Sequence, residues 1–388
     1  MSRALAAFPA QALPAWRRGV LKVGSSLLAA DGGGLSPRHA LGLAQFVAAQ
    51  RAAGREMVIV SSGAVAAGRA LLPGPRSGGA PLAARQALAA LGQARLVELW
   101  QRFFEVPVAQ VLLTHDDLRN RRRYLNARAT LLELLRMGAL PVVNENDTVC
   151  VDELKLGDND NLAAIVAALV DADLLFIASD IAGLYSADPR LDPAAVPVPL
   201  LAAIDGATLA MAGAAGSAVG TGGMRTKLEA AQRARGAGIG TLLFDGTDPA
   251  VLRELAQGRL HGTRVASPGN RRTARKHWLA SVPAQGRLRI DAGAAAALVG
   301  RGASLLPGGL VAVEGEFGRG EAVDILAVGD DRPLARGLAQ YGADDARRIA
   351  GAHSSAIAGL LGYSYGGNLV HRDDLVLVAE RPFPPPQG

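Results

Sequence analysis

Met57-Val58-Ile59-Val60-Ser61-Ser62-Gly63 is the segment from which the architecture follows. Four apolar residues run together without the apolar–polar alternation of a half-exposed strand. That is the pattern of a strand buried on both faces in a parallel sheet. Small polar residues and a glycine end the run, and an Ala-rich helical stretch follows. Upstream, Val20-Leu21-Lys22-Val23 forms the same kind of short strand and runs into Gly24-Ser25-Ser26. A helix is predicted after Ser36-Pro37, an N-cap residue followed by Pro at the first helical position. Downstream, strands are predicted at 108–113, 140–143, 174–178 and 240–244, and helices at 121–137, 162–170 and 224–235. This alternation predicts a three-layer α/β/α sandwich with a mainly parallel central sheet. Ligands of such sheets bind beyond the carboxyl ends of the strands. The polar motifs fall there: Gly24-Ser25, Ser61-Ser62-Gly63, Asn144-Glu145-Asn146-Asp147 and Ser179-Asp180.

The pattern divides the chain into a flexible leader (1–18), the α/β domain (19–257), a polar, turn-rich linker (258–285), a second domain (286–378) and a Pro-rich tail (379–388). In the second domain short strands at 286–290, 310–313, 322–328 and 375–378 are separated by Gly, Pro and Asp turns, as in a small β-barrel.

Composition narrows the function. Hydrophobic residues make up 49% of the 388 and charged residues 20%, as in a globular protein. Cys150 is the one cysteine, so no disulfide forms within the chain, which points to a reducing compartment, the cytoplasm. No apolar run has the length of a membrane span. No zinc-type spacing of Cys and His, no Walker P-loop, no Rossmann fingerprint and no nucleophile elbow is present. The net charge is +6, yet all but four of the 41 basic residues are arginine; lysine occurs only at Lys22, Lys155, Lys227 and Lys276. A compact ammonium and a planar guanidinium are different tools for holding phosphate. In an arginine-using chain, the remaining lysines draw attention.

Three clusters carry chemistry. Gly220-Thr221-Gly222-Gly223-Met224-Arg225-Thr226-Lys227 is a Gly-rich loop opening a helix; it either brings backbone N–H groups and Lys227 to phosphates or is an ordinary helix start. Lys22, in an apolar strand, is costly unless paired or functional. It either meets phosphate oxygens, helped by amides at Gly24 and Ser25, or snorkels from an edge strand. The acidic-amide boxes Asn144 to Asp147 and Gly157-Asp158-Asn159-Asp160-Asn161 crowd carboxylates and carboxamides between apolar runs. Within them, Asp160 either orients the two lysines or caps the helix that follows. Asn144, Asp147 and Asn159 suit a substrate amine and carboxylate, and Ser62 suits the carboxylate.

With these residues in hand, the chain resembles the amino acid kinase family, in the long form of its glutamate 5-kinase branch, which carries a C-terminal PUA domain. The matching segments are Val20 to Ser26, Val60 to Ala64, Val143 to Asp147, Lys155 to Asn161, Gly183-Leu184-Tyr185 with Ala187 to Arg190, Gly220 to Met224, Ser304 to Gly309 and Arg347 to Gly351. The resemblance implies ATP-dependent phosphorylation of the side-chain carboxylate of L-glutamate, giving L-glutamyl 5-phosphate, the first step of proline synthesis. It implies that Lys22 and Lys227 stabilise the transferring phosphoryl group and that Asp160 organises them. Ser62, Asn144, Asp147 and Asn159 would bind glutamate. Lys22, Gly24, Ser25, Ser179, Asp180, Thr221, Gly222, Gly223, Met224, Arg225, Thr226 and Lys227 would line the ATP site. Mg²⁺ would bridge the phosphates, with no metal site of the protein's own. Proline as feedback inhibitor, the downstream glutamyl phosphate reductase as partner, and a homo-oligomer follow from the same resemblance; a membrane or nucleic-acid partner does not. Two positions depart from the family pattern: Ser179 stands where Thr is usual, and Arg225 where a small polar residue is usual. The rival readings are a related kinase acting on aspartate, acetylglutamate or carbamate, and an RNA-binding protein. Against the latter stand the acids Glu314, Glu316, Glu321, Asp324, Asp330 and Asp331 and the scarcity of aromatic platforms in the second domain.

Overall fold

The computed structural model describes residues 7–29, 34–72, 81–150, 159–192, 194–212, 223–267, 279 and 283–378, with backbone only at 119 and 121. It comprises two compact units, Met1–Arg119 with Asn126–Arg271, and Asn120–Leu125 with Arg272–Gly388.

The first unit is built on nine strands: β1 (Ala10–Ala12), β2 (Arg18–Val23), β3 (Glu56–Ser61), β4 (Val108–Leu113), β5 (Leu140–Glu145), β6 (Leu174–Ser179), β7 (Leu200–Leu201), β8 (Gly240–Asp245) and β9 (Arg259–Val265). Its helices are α1 (Ser25–Leu28), α2 (Pro37–Ala52), α3 (Ala64–Arg69), α4 (Leu82–Gln101), α5 (His115–Arg119), α6 (Arg121–Arg136), α7 (Asn159–Leu169), α8 (Gly206–Met211), α9 (Met224–Gly236) and α10 (Pro249–Ala256). The sheet order is β1-β9-β8-β6-β2-β3-β5-β4, with β7 also on β9. Pairing is parallel from β8 to β4 and antiparallel where β9 joins β8 and β1. The order reverses at β2, which lies between β3 and β6. A crevice opens at such a switch point.

Residues alternate faces along β2. Leu21 and Val23 join Phe46 and Val47 of α2, Leu96 and Trp100 of α4, and Leu252 and Leu255 of α10 in one core. Lys22, of opposite parity, reaches Asp160 on α7, so α7 covers the other face. Helices therefore sandwich the sheet. The predicted N-cap holds: the Ser36 side chain accepts from Arg38 N at 3.2 Å, with Pro37 opening α2.

Three expectations need correction. The leader is not wholly loose: β1 pairs antiparallel with β9, and Phe8 is buried against Tyr185. The expected linker contains β9, whose Leu260 and Val265 are buried between polar neighbours. That alternation hid a strand covered on one face by helices. Helix α7 begins at Asn159 instead of 162, because its polar first turn is buried by partners instead of apolar packing. The second unit is a five-stranded sheet of Leu310–Gly315, Gly286–Ile290, Ala322–Ala327, Ala335–Leu338 and Leu375–Leu377, in that spatial order, with its own core around Leu288, Ile325, Tyr341 and Ile349. The strand Ala335–Leu338 was not expected.

Candidate active site

The carboxyl ends of the central strands bring the polar motifs together. Lys22 is one residue from the end of β2, and its side chain is 4% exposed. Its Nζ lies 2.6 Å from Asp160 Oδ1. Lys227, in the first turn of α9, places Nζ 3.5 Å from the other oxygen, Oδ2. Thr226 Oγ1 donates to that oxygen at 3.0 Å. One fully buried carboxylate thus serves two ammonium groups and a hydroxyl. An ammonium at this depth is costly without a partner, and the shared carboxylate offsets that cost for both lysines. A side chain at Gly24 would put its Cβ 3.5 Å from Lys22 Nζ, so the backbone of α1's N-cap stays close to the ammonium.

A second group adjoins the first through α7. Asn159 Nδ2 donates to Ser62 Oγ at 2.6 Å and to Asn144 Oδ1 at 2.9 Å. Asn144 Nδ2 donates in turn to Gln93 Oε1 at 2.9 Å. Ser62 is set by its N–H, which donates to Val23 O at 3.0 Å, and by Gly63, whose φ of 113° lies in the left-handed region that favours glycine. Because Asn159 and Asp160 are consecutive, the amide chain and the lysine pair share one turn of helix. Asp147 sits half-buried in the turn after β5.

Other expected residues sit differently. Ser179, at the end of β6, is buried and donates to Asp180 Oδ1 at 3.3 Å; Asp180 stands 3.9 Å from Arg190. Arg225 pairs with Glu229 one turn along α9, at 3.0 Å, so its added charge is met on its own helix. Gly223 caps α9, its carbonyl oxygen 2.9 Å from Thr226 Oγ1, and Met224 opens the helix. Leu184 and Tyr185, in the matching segment Gly183-Leu184-Tyr185, are buried, and Leu184 N donates to Thr263 Oγ1 at 2.8 Å. Burial, with Asp245 nearby, pushes the Tyr185 hydroxyl above its ordinary range. Lys155, Gly157, Asp158, Thr221 and Gly222 lie outside the described residues.

Sequence reading passed over Gln93, Gln86 and Trp100 on α4. Gln86 Nε2 donates to Cys150 O at 3.0 Å, and Trp100 Nε1 to Ser61 Oγ at 2.9 Å. Their common spacing along an Ala-rich helix was the available signal.

Two lysines on one buried carboxylate thus stand beside an amide chain at the carboxyl ends of a parallel sheet, where the ligands of such folds bind. The chain matches the Amino acid kinase family over residues 17–245 and the PUA domain over residues 286–361. It belongs to the amino acid kinase family. Its curated relatives include the Glutamate 5-kinase of Xanthomonas axonopodis pv. citri (strain 306), 69% identical over 363 residues that cover 92% of this chain and 100% of that protein. The Glutamate 5-kinase of Xylella fastidiosa (strain M23) is 66% identical over 376 residues, 96% of this chain and 98% of that one. Among solved structures, the UMP kinase from Bacillus anthracis matches with a TM-score of 0.47 and 14% identity, over 66% of this chain and 98% of that chain.

Proposed function

We infer that this protein is an ATP-dependent kinase that phosphorylates the side-chain carboxylate of L-glutamate, producing L-glutamyl 5-phosphate, the first step of proline synthesis. Relatives named Glutamate 5-kinase, matched along nearly the whole chain, support the reaction. The observation that carries the chemistry is the meeting of Lys22 and Lys227 on Asp160, one residue from the amide chain of Asn159.

The acceptor is already a carboxylate at neutral pH and needs no general base. Its oxygen forms a bond to the γ-phosphorus as the bond from that phosphorus to the β-bridging oxygen breaks, and ADP leaves. The protein's task is to bring two anions together and to stabilise charge spread over the equatorial oxygens. Lys22 and Lys227 meet those oxygens, and Asp160, between the two ammonium groups, orients them. The backbone at Gly24 and Ser25 and the start of α9, with Thr221 to Lys227, cradle the phosphates. Ser179 and Asp180 border the nucleotide. Mg²⁺ enters with ATP as part of the substrate, held by phosphate oxygens. Asp160 is already engaged by three donors and serves the lysines. Ser62, Asn144, Asp147 and Asn159 hold the amino acid.

The domain limits follow as proposals: a kinase domain that takes in β1 and β9, and a PUA domain from residue 286. Family resemblance further supports proline as feedback inhibitor, glutamyl phosphate reductase as partner, a homo-oligomer and a cytoplasmic enzyme. No helix among the described residues is long and apolar enough to cross a membrane.

Hydroxamate formation from ATP with glutamate, aspartate, acetylglutamate or carbamate in turn tests the reading. Glutamate is expected to be turned over far faster than the others. Turnover of aspartate without glutamate would overturn it, and tight, salt-sensitive RNA binding without ATP turnover would replace it.

A further inference from the structure

We propose that Gln93 is a positioning residue that holds Asn144 in the hydrogen-bond chain Gln93–Asn144–Asn159–Ser62 and so keeps the chain's remaining polar atoms placed for the amino acid. The proposal rests on the kinase reading and concerns how its acceptor pocket is oriented.

A carboxamide turned by half a revolution keeps its shape while its donor and acceptor change places. Nothing in the outline of Asn144 selects one orientation. A partner has to hold it, and Gln93 Oε1 accepts from Asn144 Nδ2 at 2.9 Å. Asn144 Oδ1 then faces Asn159 and accepts its Nδ2 at 2.9 Å. The same Nδ2 donates to Ser62 Oγ at 2.6 Å. Asn159 has thereby committed its donors and keeps Oδ1 as an acceptor. Ser62, having accepted, keeps its own proton to donate. An α-amino acid brings an ammonium and a carboxylate, which need one acceptor and one donor. A chain running the other way would present a donor to the ammonium.

Two further observations support a role beyond packing. Gln93 is 8% exposed, and its Nε2 has no hydrogen-bond partner among the described residues. A buried amide that leaves a donor unsatisfied is a poor core filler beside the leucines of the same helix. Gln93 also belongs to a row. Gln86, Gln93 and Trp100 recur at two-turn intervals on one face of α4. They grip Cys150 O, Asn144 and Ser61 Oγ. One helix face thus holds the side chains of Ser61, next to Ser62, and of Asn144.

The test is steady-state kinetics of the full chain, varying glutamate and ATP separately. Gln93→Met keeps the length and removes the acceptor. It is expected to raise KM for glutamate by about tenfold or more, with kcat and KM for ATP within about twofold, as for loss of an oriented hydrogen bond to a charged ligand. Gln93→Glu retains an acceptor oxygen in either protonation state and is expected to restore most of the glutamate KM. If the Met variant fails to fold, Gln93→Asn, which withdraws the amide from Asn144, is expected to show the same split. In a double-mutant cycle, Gln93→Met is expected to add little to Asn144→Ala. Independent, multiplying effects, an equal rise in both KM values, or no rise at all would overturn the role of Gln93. A wild-type chain that fails to phosphorylate glutamate would overturn the kinase reading and this proposal together; an active wild type with an unaltered Met variant would overturn this proposal alone.

Discussion

Asp160 holds the site's charges in balance. Its two oxygens separately meet Lys22 and Lys227, and all three side chains are buried. Asp160→Asn keeps the volume but leaves two ammonium groups facing a neutral amide. Breaking a buried ion pair from one side costs about 3–5 kcal/mol. The variant is therefore expected to melt at lower temperature, and added ATP, which brings replacement anions, should recover part of that loss. Its kcat is expected to fall by about 10²–10³-fold, since the donors that meet developing charge lose their alignment. Calorimetry with and without ATP, alongside initial rates, checks both; a variant with unchanged melting and unchanged kcat would refute the assignment. The lysine pair was legible in the sequence because lysine is so rare in this chain. Asn159 and Ser62 were legible as polar residues beside apolar runs. Gln93 showed only as a seven-residue spacing with Gln86 and Trp100, which names no chemistry until the structure places Asn144 against it.

Among the elements, the crossing of α3 and α4 is the tightest constraint near the site. A Cβ added at Gly92 would lie 1.9 Å from Ala64 O, and one at Gly68 would lie 1.9 Å from Leu88 O. The helices meet backbone to backbone, and no side chain can yield. Gly92→Ala must therefore push α3 from α4, at a cost of about 1–3 kcal/mol or more. Chemical denaturation should show the midpoint falling at constant slope; an unchanged midpoint would mean the crossing is looser than described. The central strands were readable because burial on both faces leaves an unbroken apolar run, as in Val58-Ile59-Val60. β9 was not, because it mixes Arg259, His261 and Arg264 with buried Leu260 and Val265. β1 is only three residues long, too short for a periodic signal. The start of α7 was misplaced because its first turn is buried through hydrogen bonds and ion pairs, which hydropathy does not register.

Across the whole molecule, the two units have separate cores: one around Phe46, Trp100 and Phe176, the other around Leu288, Ile325 and Tyr341. Unfolding is thus expected to depart from a single two-state transition. Calorimetry should resolve two steps, of which ATP and glutamate raise one, since every assigned site residue belongs to the first unit. One transition, shifted as a whole by ligand, would count against this. The division into two units was visible where alternating strands and helices gave way to short strands. The outer border of β9 carries a separate lesson. β1 covers its first residues, β7 its last, and between them Gln11 Nε2 donates to Gly262 O at 2.9 Å. Every stretch of that margin is sealed, and the opening segment does much of the sealing. Trimming the chain's start for convenience, as its composition invites, would bare a ribbon of unpaired amides and carbonyls. Naked strand margins recruit other chains. What such a shortened protein would forfeit first is solubility, with its chemistry still intact.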